Sequence, residues 1–161
     1  MIVVADTSVI LNLCRVQHEH LLQQLFNRVL IPTEVAEEFA RLAKIQKRFS
    51  GLILPGWIDI QPAPKPLPEE LNQAELDAGE AAAIALFLKQ KADALLIDER
   101  VGREVAVKLG VRAVGILGIL IDARNEKLIS SMKIVLDRLD SEAGFWISRD
   151  LRLQVLKLAG E

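Results

Sequence analysis

Short and long apolar segments alternate along this chain. The short ones, residues 2–5, 29–31, 57–60, 94–97 and 113–116, are β-branched or leucine-rich and show no strict polar alternation. Continuous runs of this kind predict strands buried on both faces. Between them the apolar positions recur at helical spacing. Residues 9–26 predict one broken helix or two. Residues 32–49 predict a helix with proline at a first-turn position and Val35, Phe39 and Leu42 along one stripe. Residues 81–88 are apolar throughout and lie within a longer helix ending near Lys91. Residues 101–109 end at Gly110, a natural C-terminal stop, and further helices are predicted over 117–125, 131–139 and 149–158. Strand–helix alternation predicts an α/β fold built on a parallel sheet.

One stretch departs from this rhythm. Pro62, Pro64, Pro66 and Pro68 occupy every second position. Proline removes backbone donors and fixes φ, so an extended connector is expected, serving as a stiff loop or as a docking segment. The organisation read from the pattern is an α/β domain over 1–130 and a helical extension over 131–161 packed on it. Leu136, Leu139, Trp146 and Val155 give that extension ample apolar surface, enough to pack on the domain and to leave part for a dimer or partner face.

Composition narrows the function classes. At 161 residues and 51% apolar content the chain can build a proper core. Twenty basic against 22 acidic residues give a net charge of -2, unlike a protein that coats nucleic acid. A single cysteine, Cys14, and two histidines, His18 and His20, leave no disulfide framework and little for a thiol- or imidazole-based metal site. Five Phe, two Trp and no Tyr disfavour a base-stacking platform. No apolar run approaches the ~20 residues of a membrane span. Nor does a basic segment precede the first apolar stretch, so a cytoplasmic location is expected.

The acids carry the candidate chemistry. Asp6 directly follows the first predicted strand and Asp98 the fourth. In open parallel sheets ligands bind outside the carboxyl ends of the strands, so two carboxylates distant in sequence are expected in one crevice. Both residues also precede helices, where Asp is a favoured cap, and that reading stands beside the first. Glu38 borders the apolar stripe of its helix, with Glu37 as the register alternative. Asp77 and Glu80 form a capping-box pattern, yet Glu80 stands at the mouth of a helix that looks buried all round, where a carboxylate needs a partner or a cation. Converging carboxylates repel one another unless protonated or bridged by cations, and an oxygen-only set favours Mg²⁺ or Mn²⁺. Such ions can bind a phosphodiester, lower the pKa of a water and stabilise the leaving oxygen.

These residues have a familiar setting. VVADTSVILNL resembles the opening of PIN domains, and LIPTEVAEEF resembles their second motif, whose acid sits on a helix. LDAGEAAAIALFL, LLIDERVGREVAVKLGV and VGILGILIDA are together similar to a subgroup of bacterial and archaeal PIN proteins related to VapC-type toxins. The resemblance covers nearly the whole chain. It implies a three-layer α/β/α sandwich with a central, mostly parallel sheet. It also implies a Mg²⁺- or Mn²⁺-dependent endoribonuclease, often a homodimer and often silenced by a small antitoxin protein. Residue by residue, Asp6, Glu38, Glu80 and Asp98 match the metal-binding acids and Ser8 matches a supporting hydroxyl. Glu80 stands where toxins of the family often carry Asp, which adds one methylene. The implied reaction yields 5′-phosphate and 3′-hydroxyl ends. The family also contains domains that bind without cutting.

An acidic pocket needs basic residues to dock RNA. Arg41, Lys44 and Arg48 are expected on one helical face at i, i+3 and i+7, as docking cations or as a solvated helix end. Arg100 and Arg103 follow Asp98 and are expected either to steady a substrate phosphate or to pair with surplus acids. Thr7 and Ser8 are expected to open the first helix, where backbone N–H groups can meet a phosphate. Two rivals fit less well. A phosphatase of the haloacid dehalogenase type needs an acid where Ser8 stands, and the Gly115 segment lacks a full nucleotide-binding fingerprint.

Overall fold

The five short apolar segments form one sheet. The computed structural model describes residues 1–72 and 75–161, and its strands are β1 (Ile2–Ala5), β2 (Arg28–Pro32), β3 (Asp59–Gln61), β4 (Ala94–Leu96) and β5 (Ala113–Val114). They lie in the order β3-β2-β1-β4-β5, and every neighbouring pair is parallel. Among the described residues the helices are α1 (Thr7–Arg15), α2 (His20–Leu25), α3 (Thr33–Ile45), α4 (Glu69–Asn72), α5 (Ala78–Gln90), α6 (Arg100–Lys108), α7 (Ile116–Asn125), α8 (Met132–Ala143) and α9 (Arg149–Leu158). The result is the α/β fold on a parallel sheet that alternation predicted, and the three-layer α/β/α sandwich that the resemblance implied.

The expected elements differ from the observed ones at their ends, for local reasons. The segment 9–26 is two helices, separated where Gln17 takes φ 59°. Pro32 ends β2 in an extended conformation (φ -73°, ψ 161°), so it precedes α3 instead of occupying its first turn. The third strand starts at Asp59, because Pro55 and Gly56 make residues 55–58 a turn. Ile116 leaves β5 and opens α7. α8 runs on to Ala143, where Gly144 (φ 70°) stops it.

α5 holds the architecture together. Its residues 79–87 are all buried, and it packs on β1, β2 and β4. Alanine is the best helix former, and the run Ala81-Ala82-Ala83 also lets the helix approach the sheet closely. The start of α5 is fixed by the expected capping box: Glu80 N–H donates to Asp77 Oδ1 at 2.8 Å, and Asp77 N–H donates to Glu80 Oε2 at 3.2 Å. Its end is Lys91 in the left-handed region. The core is continuous through Val4, Ile10, Leu30, Leu86 and Leu95 to Leu139 and Val155 of the last two helices. Each such side chain gains about 1.5–3 kcal/mol from leaving water. No helix among the described residues is long and apolar enough to cross a membrane.

Candidate active site

Strand order selects the site. From β1 the chain builds β2 and β3 on one side, then returns to build β4 and β5 on the other. The order therefore reverses between β1 and β4, and the crevice beyond their carboxyl ends is the expected ligand position. Asp6 stands there, its N–H donating to Leu96 O at 2.8 Å.

Register decides which acids join it. Ala5 is level with Leu96, so Asp6 falls level with Ile97 and Asp98 lies one residue further on. Successive residues of an extended segment point to opposite faces. Asp6 and Ile97 therefore share the face covered by α5, while Asp98 turns to the other.

On the Asp6 face the acids gather. Asp6 is 4% exposed and Glu80 is 6% exposed. Burial, then the charges of Asp77, Glu38 and Glu80, push Asp6 up to about 7, against a partial offset from the Thr7 backbone N–H. Glu38 is raised by burial and Asp77, offset by the Thr7 hydroxyl and Arg41. Glu80 is raised by burial, then by Asp77, Glu99 and Glu38 against the Asp77 N–H. Gly79 makes the gathering possible: a Cβ there would stand 3.0 Å from Glu38 Oε2 and 3.5 Å from Asp77 Oδ1. Thr7 is 1% exposed, and its Oγ1 lies near enough to Glu38 to favour the charged form without reaching hydrogen-bond geometry to any group. Ser8 Oγ is likewise buried and unpartnered. Glu37 is exposed and lines a cleft with Thr33 and Lys65, whereas the Glu38 charge acts on Asp6.

Asp98 has different company. Both of its carboxylate oxygens lie 3.2 Å from the Ile116 N–H they accept, so Asp98 caps α7 and not the helix that follows it. Burial pushes it up to about 6; the Ile116 N–H and Arg103 lower it and Glu99 raises it. Asp6 and Asp98 thus follow the adjacent strands β1 and β4, as expected, with different immediate neighbours: Asp77, Glu38 and Glu80 act on Asp6, and Ile116 N–H and Arg103 on Asp98. Glu99 connects the two groups, since its charge acts on Glu38, Glu80 and Asp98. The sequence pattern marks Asp77 only as a cap, and Glu99 directly follows Asp98. The signal available for both was adjacency to a candidate acid.

The basic residues are divided. α3 ends at Ile45 and Gln46 is extended, so the shared face stops at Lys44; Arg48 instead lies in a 3₁₀ turn with its guanidinium 4.8 Å from the Phe49 ring centroid. Arg41 acts on Glu38. Arg100 pairs with Glu104 at 3.2 Å on the surface. Arg103 donates from Nη1 to Ile97 O at 3.2 Å and packs beside Asp98 on Gly115.

A metal would have to be held by oxygens. With the side chains as they stand, no three histidine, cysteine or acidic groups among the described residues are arranged to hold one ion. The chemistry of the donors nevertheless fits a hard divalent cation: Glu38, Asp77 and Glu80 all raise the pKa of buried Asp6, and the Thr7 hydroxyl beside them lacks a partner.

Acids at the topological switch point of a parallel α/β sheet define a ligand-binding crevice of that fold class. The PIN-domain family model matches residues 2–161, and the chain belongs to that family. Its members are nuclease-type hydrolases that typically use divalent metals. A comparison with curated proteins finds no match.

Proposed function

We propose that this PIN domain is a Mg²⁺- or Mn²⁺-dependent endoribonuclease whose metal-holding acids are Asp6, Glu38, Glu80 and Asp98. The observation that carries the reading is the gathering of acids around buried Asp6: Asp77, Glu38 and Glu80 act on it, and the buried Thr7 hydroxyl beside them is unpartnered. Nothing about a folded core requires this arrangement, whereas binding of a divalent cation does.

The cation would stabilise charge on the phosphate and lower the pKa of a water. The chain does the rest. Asp6, Glu38, Glu80 and Asp98 would hold the ion. Backbone N–H groups at the start of α1, with Thr7 and Ser8, receive a non-bridging phosphate oxygen. Water attacks phosphorus, the P–O3′ bond breaks and the proton passes to O3′. The ends are therefore a 5′-phosphate and a 3′-hydroxyl. Arg41, Lys44 and Arg48 approach the RNA from the α3 side, Arg100 and Arg103 from α6.

The toxin reading, with a small antitoxin protein as partner and a homodimer as the working form, rests on the resemblance to VapC-type proteins. A second reading, a silent PIN-like module that binds RNA or protein, is favoured by one observation. Asp98 and Glu80 already have structural employment as caps. Cleavage of labelled single-stranded RNA with Mg²⁺, Mn²⁺ or chelator, beside Asp6→Asn and Asp98→Asn, decides between them. Metal-dependent cutting lost in Asp6→Asn supports the nuclease. Binding without cutting supports the module, and cyclic phosphate ends would refute the mechanism.

A further inference from the structure

A further cavity lies apart from Asp6. It is a groove of about 980 Å³ that begins at Asp98 and runs along the open edge of the sheet, between α6, β5, the start of α7 and the segment leading into α9. Its walls are mainly apolar, with Val107, Leu117, Phe145, Ile147 and Leu151 among them. Val107 is 66% exposed. Arg100, Arg103 and Lys108 stand on its α6 side. The acids there are engaged, Glu104 with Arg100 and Asp98 with Ile116 N–H.

The floor of the groove carries a hydrogen-bonding edge. β5 is the last strand of the sheet. Leu95 N–H donates to Arg112 O and Ile97 N–H donates to Val114 O. Residues 112 and 114 therefore face β4, and Ala113, between them, turns its own N–H and C=O to the open side. That is one donor and one acceptor in a plane, at the bottom of an apolar slot, beside cations and next to a carboxylate of the proposed site.

We infer that this groove receives an unpaired nucleobase of the RNA next to the phosphodiester at the acid site. The inference rests on the nuclease reading and adds to it a site for one base beside the cleaved bond. A base has an apolar face for Phe145 and Leu151, and an edge of adjacent donors and acceptors for Ala113. Its phosphate is an anion for Arg100, Arg103 and Lys108. An extended peptide could use the same edge, but β5 has only two residues, and strand addition needs a longer ladder. One base needs a single donor–acceptor pair. Continuity with Asp98 places the base within reach of the reacting phosphate.

The test uses the full chain, in chelator so that no cutting intervenes, and a ten-nucleotide oligouridylate carrying one 4-thiouridine. On irradiation, crosslinks are expected on peptides containing Phe145, Leu151 or Val107. Val107→Trp, which fills the slot from an exposed position, is expected to weaken binding roughly tenfold, the worth of one stacked base. Ile53→Trp, an equal addition at an exposed position outside the groove, should bind as the parent does. An oligonucleotide abasic at the crosslinking position should lose the difference between parent and Val107→Trp. Crosslinks confined to other surfaces, with binding intact, would overturn the base site and leave the nuclease reading standing. Dispersal of a dimer or protein complex by Val107→Trp, with unchanged RNA crosslinks, would make the groove a protein interface and also overturn it. No binding of any RNA by the parent, with Mg²⁺ or without, would remove both readings together.

Discussion

Gly79 is packed against Glu38 so closely that a Cβ at position 79 would stand 3.0 Å from Oε2. The missing side chain on α5 makes room for a carboxylate on α3. Alanine in a helix is worth about 1 kcal/mol over glycine, so Gly79→Ala should leave the melting temperature level or slightly raised. The displaced carboxylate should nevertheless weaken Mn²⁺ binding, by about tenfold in calorimetry, and slow RNA cleavage in step. Unaltered Mn²⁺ affinity would place the ion away from Glu38.

The acids set a pH dependence with a definite sign. Asp6 lies near 3.8 when unfolded and is pushed up to about 7 in the fold, so the native state binds more protons between those values. Stability should therefore fall as pH rises from about 4 to about 7, by up to about 4 kcal/mol for this group alone. Thermal melts in chelator across that range should show the decline, and Asp6→Asn should flatten it. Mg²⁺ or Mn²⁺ should restore stability at pH 8 and do little at pH 5, where Asp6 is protonated. A decline identical in Asp6→Asn would assign the effect to other groups.

Asp98 has a structural and a proposed chemical part, and two substitutions separate them. Asp98→Asn keeps an acceptor for Ile116 N–H, so it should fold with little change in urea midpoint while losing cleavage. Asp98→Ala leaves that N–H without its partner at the start of α7 and should cost about 1–3 kcal/mol. Full activity in Asp98→Asn would make the residue a cap alone.

Gly115 tests the packing of the same corner. A Cβ there would meet Asp98 Oδ1 at 2.4 Å and Arg103 Nη1 at 2.7 Å. Arg103 is also tied to Ile97 O, so the pair has little freedom to withdraw. Gly115→Ala should destabilise the protein by about 1–3 kcal/mol in denaturant titration. Gly110→Asn offers a contrast. Gly110 has φ +75° with nothing within 4 Å, and asparagine tolerates that conformation, so a loss well under 1 kcal/mol is expected. Equal losses in the two variants would show that side-chain contact is not what position 115 avoids.

Much of this was legible in the chain itself. Apolar runs of two lengths gave five strands and the helices between them, because burial on both faces leaves a strand no polar positions and burial on one leaves a helix its stripe. Asp77 and Glu80 announced the start of α5 because a capping box is made within four residues. Asp6 was marked by its place after a strand, and Glu38 by its place beside a stripe. Such signals are local, and local backbone geometry is enough to read them.

What distance along the chain concealed was phase. Helix ends at Pro32 and Ile45 depended on where a strand stopped and a turn began, so Arg48 left the face it shared on paper with Arg41 and Lys44. Above all, the sequence put Asp6 and Asp98 after neighbouring strands and could not say which way either pointed. The pairing of Ala5 with Leu96 decided that. It sent Asp6 to Glu38, Asp77 and Glu80, and Asp98 to Ile116 and Arg103. Side chains alternate with a period of two, and only a fixed register between distant strands sets the phase of that alternation.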